Sequence, residues 1–252
     1  IKKFLFKFSK NHTHKALSKL INKLNMESII YVDVGARGDL TYPWNIIEDM
    51  GKLKVLGFEV DKMEADNLKR RFPNREYFPY AASDNDNPNK LSIAFNPYQS
   101  SIHKPNIDYI KKYFLKDNWE TRVSKTYEKI KCKRIDALIK DADFIKIDTQ
   151  GYEYEVLKGC EGILGSVLAV LSECWSAEIH QKQKLVYKVM EKLDKSGYEL
   201  TGIEKGNWKH KYSNFFPISS GVPVWMELLF FKKLDNLEKK SRKKILKLIF
   251  LY

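Results

Sequence analysis

The chain has 252 residues, of which 43% are hydrophobic and 13% aromatic, so it carries enough apolar surface for one sizeable domain. No apolar run approaches the roughly 18 residues of a membrane-spanning helix. Three widely spaced cysteines, Cys132, Cys160 and Cys174, fit neither a disulfide framework nor a metal-ligand spacing. We therefore expect reduced thiols in a cytoplasmic protein.

The formal net charge of +13 comes from the two ends of the chain. Residues 1–25 contain seven lysines and no acid, and residues 232–252 contain eight basic and two acidic residues. The part between them is neutral. A nucleic-acid-binding protein would be expected to carry basic residues on its folded core as well. The charge pattern therefore argues against nucleic acid as a partner.

Apolar residues in both ends follow the i, i+3, i+4, i+7 spacing of an amphipathic helix. They are Leu17, Leu20, Ile21 and Leu24, a rougher set of Ile1, Phe4, Leu5 and Phe8, and, at the other end, Ile245, Leu248, Ile249 and Tyr252. Basic amphipathic helices bind anionic lipid, which predicts peripheral contact with the inner surface of a membrane. The competing interpretation is that both helices pack on the core and keep a solvated lysine face.

Between the ends, strand-like and helix-like segments alternate, which predicts a mainly parallel sheet covered on both faces. In chain order we expect strands at 28–34, 53–60, 76–79, 90–95, 129–135, 144–147, 167–174, 198–204 and 225–231, the last two as an antiparallel edge pair. Helices are expected at 44–50, at 62–72 with Asp61 as N-cap, at 136–139 and at 181–195. We divide the chain into an extension at 1–27, a domain at 28–232 with an insertion or lid at 97–127, and a helix at 233–252.

A glycine turn follows the first strand, and an acid ends the second. Gly35 and Gly38 let a ligand approach the backbone, and Glu59 lies 24 residues after Gly35, about where an acid binds nucleotide ribose. The G-x-x-G spacing differs from the G-x-G-x-x-G of pyrophosphate-binding turns. Asp33, just before it, would repel a phosphate and suit a cation. S-adenosylmethionine is such a ligand, because it has a sulfonium, an amino group and a ribose, and no phosphate.

The most informative segment is 144–159. An apolar strand ends at Asp148, the chain turns at Gly151, and a helix begins with Glu153 in its first turn. Ligands of open α/β sheets bind at the carboxyl ends of such strands. The segment therefore predicts a site beside Asp148.

These segments resemble a known family. Residues 32–39 (VDVGARGD), 57–61 (GFEVD) and 81–84 (AASD) look like the first motifs of class I S-adenosylmethionine-dependent methyltransferases. Residues 100–102 (SSI), 134–138 (RIDAL) and 144–159 are similar to the FkbM-type branch. The resemblance covers 28–232. It implies a Rossmann-like α/β fold, an open twisted, mostly parallel seven-stranded sheet with helices on both faces and an antiparallel edge hairpin.

Carried over onto this sequence, the resemblance implies S-adenosylmethionine as the cofactor. Asp33, Gly35 and Gly38 would lie near its methionine moiety. Glu59 would bind its ribose, and Asp84 would lie near its adenine.

Two positions depart from the family pattern. Arg37 stands where asparagine is common, and Glu227 stands where aspartate is usual. Because the guanidinium of Arg37 would repel a sulfonium, we expect Arg37 to turn outward or to pair with Asp33 or Glu59.

Methyl transfer to a hydroxyl requires positioning of both reactants and removal of the acceptor proton, by a general base or a metal. Asp148 and Glu173 end adjacent central strands, and Glu153 opens the helix between them, so these three are the catalytic candidates, with Asp148 first. His103 and His180 are weaker candidates, because surface histidines are more often ordinary residues. Asp148 and Glu173 could share a magnesium ion, but two acids are too few to predict a metal site.

The sequence thus predicts a methyltransferase that acts on an oxygen of a sugar, a glycan or another small-molecule hydroxyl. Base-modifying enzymes usually carry an Asn/Asp-Pro-Pro-aromatic run after the fourth strand, where residues 148–151 read Asp-Thr-Gln-Gly here. Two alternatives remain open. One is a nicotinamide (NAD) oxidoreductase that uses Glu59 for ribose, and the other is a non-enzymatic membrane-surface module with a degenerate pocket.

Overall fold

In a computed structural model of the chain, the described residues are 10–112, 118–208, 221–233, 235 and 242–251. Within them the strands, in chain order, are β1 (Ile29–Val34), β2 (Leu53–Phe58), β3 (Glu76–Phe78), β4 (Ala81–Ala82), β5 (Asn89–Ala94), β6 (Ser124–Ile130), β7 (Cys132–Lys133), β8 (Phe144–Ile147), β9 (Ala169–Trp175), β10 (Tyr198–Trp208) and β11 (Val222–Lys232). The helices are α1 (Lys10–Leu24), α2 (Trp44–Asp49), α3 (Lys62–Arg71), α4 (Ile107–Ile110), α5 (Ile135–Leu138), α6 (Glu153–Lys158), α7 (Glu161–Leu164), α8 (Val186–Lys195) and α9 (Arg242–Leu251). Two 3-10 turns, Pro97–Gln99 and Asn118–Arg122, lie between β5 and β6.

Seven of these strands form one sheet in the order β10-β11-β9-β8-β1-β2-β3. The pairs β1–β2, β1–β8, β2–β3 and β8–β9 are parallel, whereas β11 runs antiparallel to both β9 and β10. The predicted seven-stranded, mostly parallel sheet with an antiparallel edge hairpin is confirmed. Both strands of the hairpin, β10 and β11, are longer than the sequence predicts.

The strand order reverses beside β1. The chain runs from β1 outward to β2 and β3, and it then returns to place β8 on the opposite side of β1. The loops that leave the carboxyl ends of β1 and β8 therefore separate and leave a crevice between them. Ligands of open α/β sheets bind at such a point.

The central strands are buried because helices cover both faces of the sheet. Helices α6 and α8 pack on one face, and α1, α2 and α9 pack on the other. Strands β8 and β9 accordingly read as nearly continuous apolar runs, as expected of parallel strands with two covered faces. Within these two strands only Lys146 and Glu173 keep partial exposure. Such polar residues, retained in an apolar run, indicate a function at the strand ends.

Two predicted elements are wrong in position. The expected strand at 129–135 is divided at Lys131, because β6 pairs with β5 whereas β7 pairs with β4. The helix expected to begin at Gln181 begins at Val186. The φ angle of Lys182 is +68°, in the left-handed region, so the helix cannot extend back across this residue.

Helix α1 contains the helical pattern predicted for the first end. Ile21 is buried and Leu24 packs against the same apolar cluster, whereas Leu20 is 39% exposed. The remaining members of the two predicted end patterns, Ile1, Phe4, Leu5, Phe8 and Tyr252, lie outside the described residues.

The residues of α9 that face the core differ from those that its apolar spacing predicts. Leu248 is buried as expected, but Ile245 is 40% exposed and Ile249 is 62% exposed. Lys247 is buried in their place, and Lys244 is partly buried.

The two lysines turn inward because they compensate a buried carboxylate. Asp143 is completely buried, and its two oxygens accept hydrogen bonds from Lys244 Nζ at 2.6 Å and Lys247 Nζ at 2.7 Å. The backbone N–H of Ile30 in β1 also donates to this carboxylate at 2.8 Å. A buried charge is tolerated only with such partners. The ion pairs, and not the apolar spacing, therefore determine which side of α9 faces the core.

Candidate active site

A cavity of about 630 Å³ opens at the carboxyl ends of β1, β2 and β8, in the crevice beside the strand reversal. This volume is typical of sites for cofactor-sized molecules. Three of the predicted site residues line it, namely Gly35, Glu59 and Asp148. Its wall also includes polar residues that the sequence did not single out as site residues, among them Lys146, Gln150, Tyr80 and Tyr152.

Gly35 brings the ends of β1 and β8 together. Its φ angle is +81°, and a Cβ at this position would overlap the backbone carbonyl oxygen of Asp148. The backbone N–H of Asp148 in turn donates to the carbonyl of Val34 at 3.0 Å. Gly38 also has a positive φ, of +93°, but it does not line the cavity. Of the two predicted glycines, Gly35 is therefore the one at the cavity wall.

Asp33 lies behind the wall and is paired with a lysine of the neighbouring strand. Its Oδ1 accepts a hydrogen bond from Lys146 Nζ at 3.2 Å, and the same ammonium lies 3.6 Å from Asp148 Oδ2. Burial lowers the pKa of Lys146, but the attraction of Asp33 and Asp148 outweighs burial and the net effect is a raised pKa. Asp33 thus holds a cation of the protein itself.

Glu59 ends β2 at the cavity, with 5% of its surface exposed. Its Oε1 accepts a hydrogen bond from the backbone N–H of Asp61 at 2.9 Å. Burial raises the pKa of the Glu59 carboxyl. Arg37 lies over the ring of Tyr98 and pairs with Asp61 at 3.1 Å, and not with Asp33 or Glu59, although it lines the cavity beside Glu59.

Asp84 lies outside the cavity wall, beside Lys158 and Asn85, whose side chains both donate hydrogen bonds to it. Burial raises the pKa of the Asp84 carboxyl, but the hydrogen bonds from Lys158 and Asn85 outweigh burial and lower it overall. The adjacent Ser83 forms a hydrogen bond of 3.0 Å with the hydroxyl of Tyr152, which does line the cavity. The predicted adenine contact at Asp84 therefore has no direct counterpart in the cavity wall.

Asp148 and Glu173 are joined by an amide that the sequence did not single out. Gln150 Nε2 donates to Asp148 Oδ1 at 3.1 Å and to Glu173 Oε2 at 2.6 Å. Burial raises the pKa of the Glu173 carboxyl well above its usual range, and the nearby charge of Asp148 raises it further. Gln150 itself has a φ of +54°, a conformation that costs a non-glycine residue energy and is often found at functional sites. The three side chains form one acid–amide–acid unit, in which Asp148 and Gln150 line the cavity and Glu173 does not.

Glu153 supports the turn and does not line the cavity. It is 1% exposed, and its Oε1 accepts hydrogen bonds from the backbone N–H groups of Thr149 and Gly151 and from the Thr149 hydroxyl, at 3.2, 2.8 and 3.2 Å. Burial raises the pKa of this carboxyl to about 7. Its contacts hold the backbone around Gln150.

The two histidines are less exposed than expected. His180 is 1% exposed, and burial lowers its pKa to about 3, whereas burial lowers the pKa of the partly buried His103 to about 4. Both are therefore neutral at physiological pH. The expectation of an ordinary surface residue is wrong for His180.

The described residues contain neither a cluster suited to a metal ion nor a helix suited to span a membrane. No group of three or more His, Cys, Asp or Glu side chains in these parts of the chain is arranged to hold a metal ion. Within the same residues, no helix combines the length and the hydropathy needed to cross a bilayer.

The cavity wall suits a cationic ligand that has a ribose and no phosphate. Glu59 retains Oε2 for ribose hydroxyls, and the carboxylate of Asp148 faces the same space. Two basic groups of the wall are compensated, because Lys146 is paired with Asp33 and Arg37 with Asp61, whereas Lys62, Lys129 and Lys131 also line the cavity. Apolar side chains of the wall can cover a planar base, among them Phe58, Val60, Ile93 and Ile102. The residues present thus fit S-adenosylmethionine.

Several solved structures of low sequence identity are similar to this chain. Precorrin-6y C5,15-methyltransferase from Geobacter metallireducens is 14% identical, with 92% of each chain covered and a TM-score of 0.40. A protein from Listeria monocytogenes described as a methyltransferase dependent on S-adenosylmethionine is 10% identical, with 87% of this chain and 96% of that chain covered and a TM-score of 0.41. The structure StiE O-MT is 10% identical, with 94% and 78% covered and a TM-score of 0.43. Among curated proteins, none matches this sequence significantly.

A family model gives the decisive comparison. The model described as "Methyltransferase FkbM domain" matches residues 33–200, which is two thirds of the chain and includes the end of β1 and all of β2, β8 and β9. The match favours a methyltransferase over a nicotinamide-dependent oxidoreductase or a binding module without activity. The chain therefore belongs to the FkbM methyltransferase family and is an S-adenosylmethionine-dependent methyltransferase.

Proposed function

We propose that the enzyme transfers the methyl group to a hydroxyl oxygen of a sugar, a glycan or another small molecule. The observation that carries this proposal is the acid–amide–acid unit of Asp148, Gln150 and Glu173, of which Asp148 and Gln150 line the cavity. A hydroxyl is a poor nucleophile until its proton is removed, so a carboxylate beside the reacting methyl group has a clear role. A neutral amine is already nucleophilic and depends less on such a base.

Several residues of the cavity wall have distinct roles in the proposed reaction. S-adenosylmethionine, when bound, supplies a methyl group on a positively charged sulfur. Glu59 would hold the ribose hydroxyls, and Gly35 allows the backbone to approach the ligand. Asp148 would accept the hydroxyl proton as the oxygen forms its bond to the methyl carbon. Gln150 would orient Asp148 by donating to it.

The neighbours of Asp148 keep this carboxylate available. Glu173 has a raised pKa and so tends to hold a proton, which leaves Asp148 as the exposed acceptor of the pair. Lys146 lies 3.6 Å from Asp148 and balances its charge. Glu153 fixes the turn that carries Gln150, so its buried carboxylate acts through the backbone.

Product chemistry tests this proposal. The enzyme would be incubated with S-adenosylmethionine carrying a labelled methyl group and with methyl glycosides of hexoses, deoxyhexoses and uronic acids, with and without magnesium. We expect the label in a methyl ether, which resists mild alkali. Release of labelled methanol by alkali would indicate a carboxyl ester, and transfer only to amino sugars would indicate nitrogen as the acceptor. Either result would contradict hydroxyl methylation.

We propose further that the enzyme binds peripherally to the anionic inner surface of a membrane through α1 and α9. The two helices pack in one apolar cluster, and Lys243 at the start of α9 pairs with Glu27 just after α1. Lys15, Lys19 and Lys23 are exposed along α1 and form no ion pair with another described residue. The exposed Leu20, Ile245 and Ile249 add apolar surface beside this charge.

Vesicle sedimentation tests the membrane proposal. The triple variant Lys15→Gln, Lys19→Gln, Lys23→Gln should bind phosphatidylglycerol-containing vesicles about 100-fold more weakly, because each lysine contributes about 1 kcal/mol near an anionic surface. A matched variant with glutamine at Lys54, Lys69 and Lys125, which are also exposed, should bind as the wild type does. Equal losses in both variants would indicate a general charge effect and refute a specific docking face.

A further inference from the structure

Beside the proposed acceptor site lies a cluster of buried polar atoms without partners. Within the described residues, Arg122 Nε and Nη1, Trp175 Nε1, Gln183 Nε2 and His180 Nδ1 have no hydrogen-bond partner. The guanidinium carbon of Arg122 lies 5.4 Å from the Trp175 ring centroid, and the Trp175 and His180 rings lie 6.2 Å apart. Trp175 and His180 are each 1% exposed, and Gln183 is 6% exposed. Buried polar groups normally have partners, so a cluster of exceptions indicates a missing one.

The cluster adjoins the turn that carries the proposed base. A Cβ on Gly151 would lie 3.0 Å from His180 Nδ1 and 3.5 Å from the Gln183 side chain. Gln150, the preceding residue, lines the cavity and binds Glu173. Trp175 follows Glu173 by two residues in β9, so their side chains leave the same face of the sheet. The cluster of unpaired polar atoms therefore adjoins the proposed acceptor site.

The cluster carries a positive charge that no described acid neutralises through an ion pair. Arg122 lies between the rings of Trp175 and Trp208, 5.4 Å from each centroid. Burial lowers the pKa of Arg122, and the proximity of Glu173 raises it only in part. Because the raised pKa of Glu173 favours its protonated form, this acid compensates little of the charge. A cation–π contact alone rarely offsets the burial of a guanidinium.

We infer that Arg122, with the donors of Trp175 and Gln183, binds an anionic group of the methyl acceptor, so that the acceptor is an acidic or phosphorylated saccharide. A guanidinium binds carboxylates and phosphates through two parallel hydrogen bonds, and the indole and amide N–H groups add further donors. Arg122 keeps part of its surface exposed, which gives an anion access. That this anion belongs to the methyl acceptor rests on the proposed hydroxyl methylation. That an anion binds at Arg122 does not depend on the proposed function.

Tryptophan fluorescence tests anion binding directly, since two indoles flank Arg122. D-glucuronate, D-glucose 1-phosphate and neutral D-glucose would be titrated at constant ionic strength. We expect the tryptophan fluorescence to change saturably with glucuronate if the site binds carboxylates, or with glucose 1-phosphate if it binds phosphates. Neutral glucose should leave the fluorescence unchanged. Arg122→Gln should weaken the response at least tenfold, and Arg122→Lys should weaken it less. Arg70→Gln, at an exposed arginine of α3, should match the wild type.

Two further measurements separate this inference from the proposed function and from misfolding. S-adenosylhomocysteine should bind Arg122→Gln within about twofold of the wild type, which shows that the variant is folded. Trp175→Phe keeps an aromatic ring but removes the indole N–H, so it should weaken anion binding severalfold, as measured by calorimetry because the substitution also removes a fluorescent indole. A wild-type response to neither anion, or an equal response in Arg122→Gln, would overturn the inference. If the protein binds the anion but methylates only neutral glycosides, the bound anion does not belong to the methyl acceptor.

Discussion

Glu59→Ala is expected to weaken binding of S-adenosylhomocysteine by about 10- to 100-fold, as measured by calorimetry. A hydrogen bond to a charged group contributes about 1.5–3 kcal/mol, and each 1.4 kcal/mol corresponds to a tenfold change in affinity. Glu59 is nearly buried at the cavity, and one of its oxygens is occupied by the backbone of Asp61. The other oxygen would bind the ribose hydroxyls.

The pH dependence of binding sharpens this test. Burial raises the pKa of Glu59, so the carboxylate that accepts the ribose hydrogen bonds is lost as the pH falls through that raised value. Wild-type affinity should therefore decline in weakly acidic solution, above the pH at which an ordinary glutamate protonates, whereas the affinity of Glu59→Ala should stay flat in this range. Glu64→Ala, in the first turn of α3, serves as the control. Unchanged affinity in Glu59→Ala would remove Glu59 from the cofactor site.

Asp148→Asn is expected to lower kcat by about 100- to 10,000-fold, the range typical of a lost general base. The affinity for S-adenosylhomocysteine should change less than twofold, because asparagine keeps the size of the side chain and the backbone contact with Gly35. Steady-state kinetics and calorimetry measure the two effects separately. Asp66→Asn, at an exposed acid of α3, should leave both values unchanged.

The pH profile distinguishes a base from a residue that only positions the acceptor. Wild-type kcat should fall as the pH falls, because a general base must be unprotonated to accept the hydroxyl proton. This acid limb should disappear in Asp148→Asn, and the residual rate should be independent of pH in that range. A variant that keeps the acid limb with a lower plateau would show that another group is the base.

The sequence predicted the parts of the fold that depend on local patterns. The apolar run of β8, the carboxylate Asp148 and the turn at Gly151 follow one another within eight residues, and β2 ends in Glu59 after a similar run. Such order predicts which residues lie at a strand end, because parallel strands present their carboxyl ends at one edge. Gly35, Glu59 and Asp148 accordingly meet in one cavity.

The parts that could not be predicted depend on contacts between distant segments. The division of 129–135 follows from which strand each half pairs with. The position of Glu153 behind the turn follows from its hydrogen bonds to Thr149 and Gly151, and a helix start alone does not show whether an acid faces outward. Arg122 lies 53 residues from Trp175 in the chain, so no local signal joins them. Gln150 belongs to the segment 144–159. Its hydrogen bond to Glu173 depends on where β9 lies beside this segment, which the sequence alone does not show.

The buried carboxylate of Asp143 changes how the charge of the C-terminal end should be counted. Lys244 and Lys247 are the counterions of this group, and Lys243 is the counterion of Glu27, so three cations of α9 are engaged within the molecule. The formal charge of the segment consequently overstates the field that an approaching polyanion experiences there. Among the described residues, the free positive surface therefore lies along α1, and an external anionic partner should first encounter this part of the enzyme on that side.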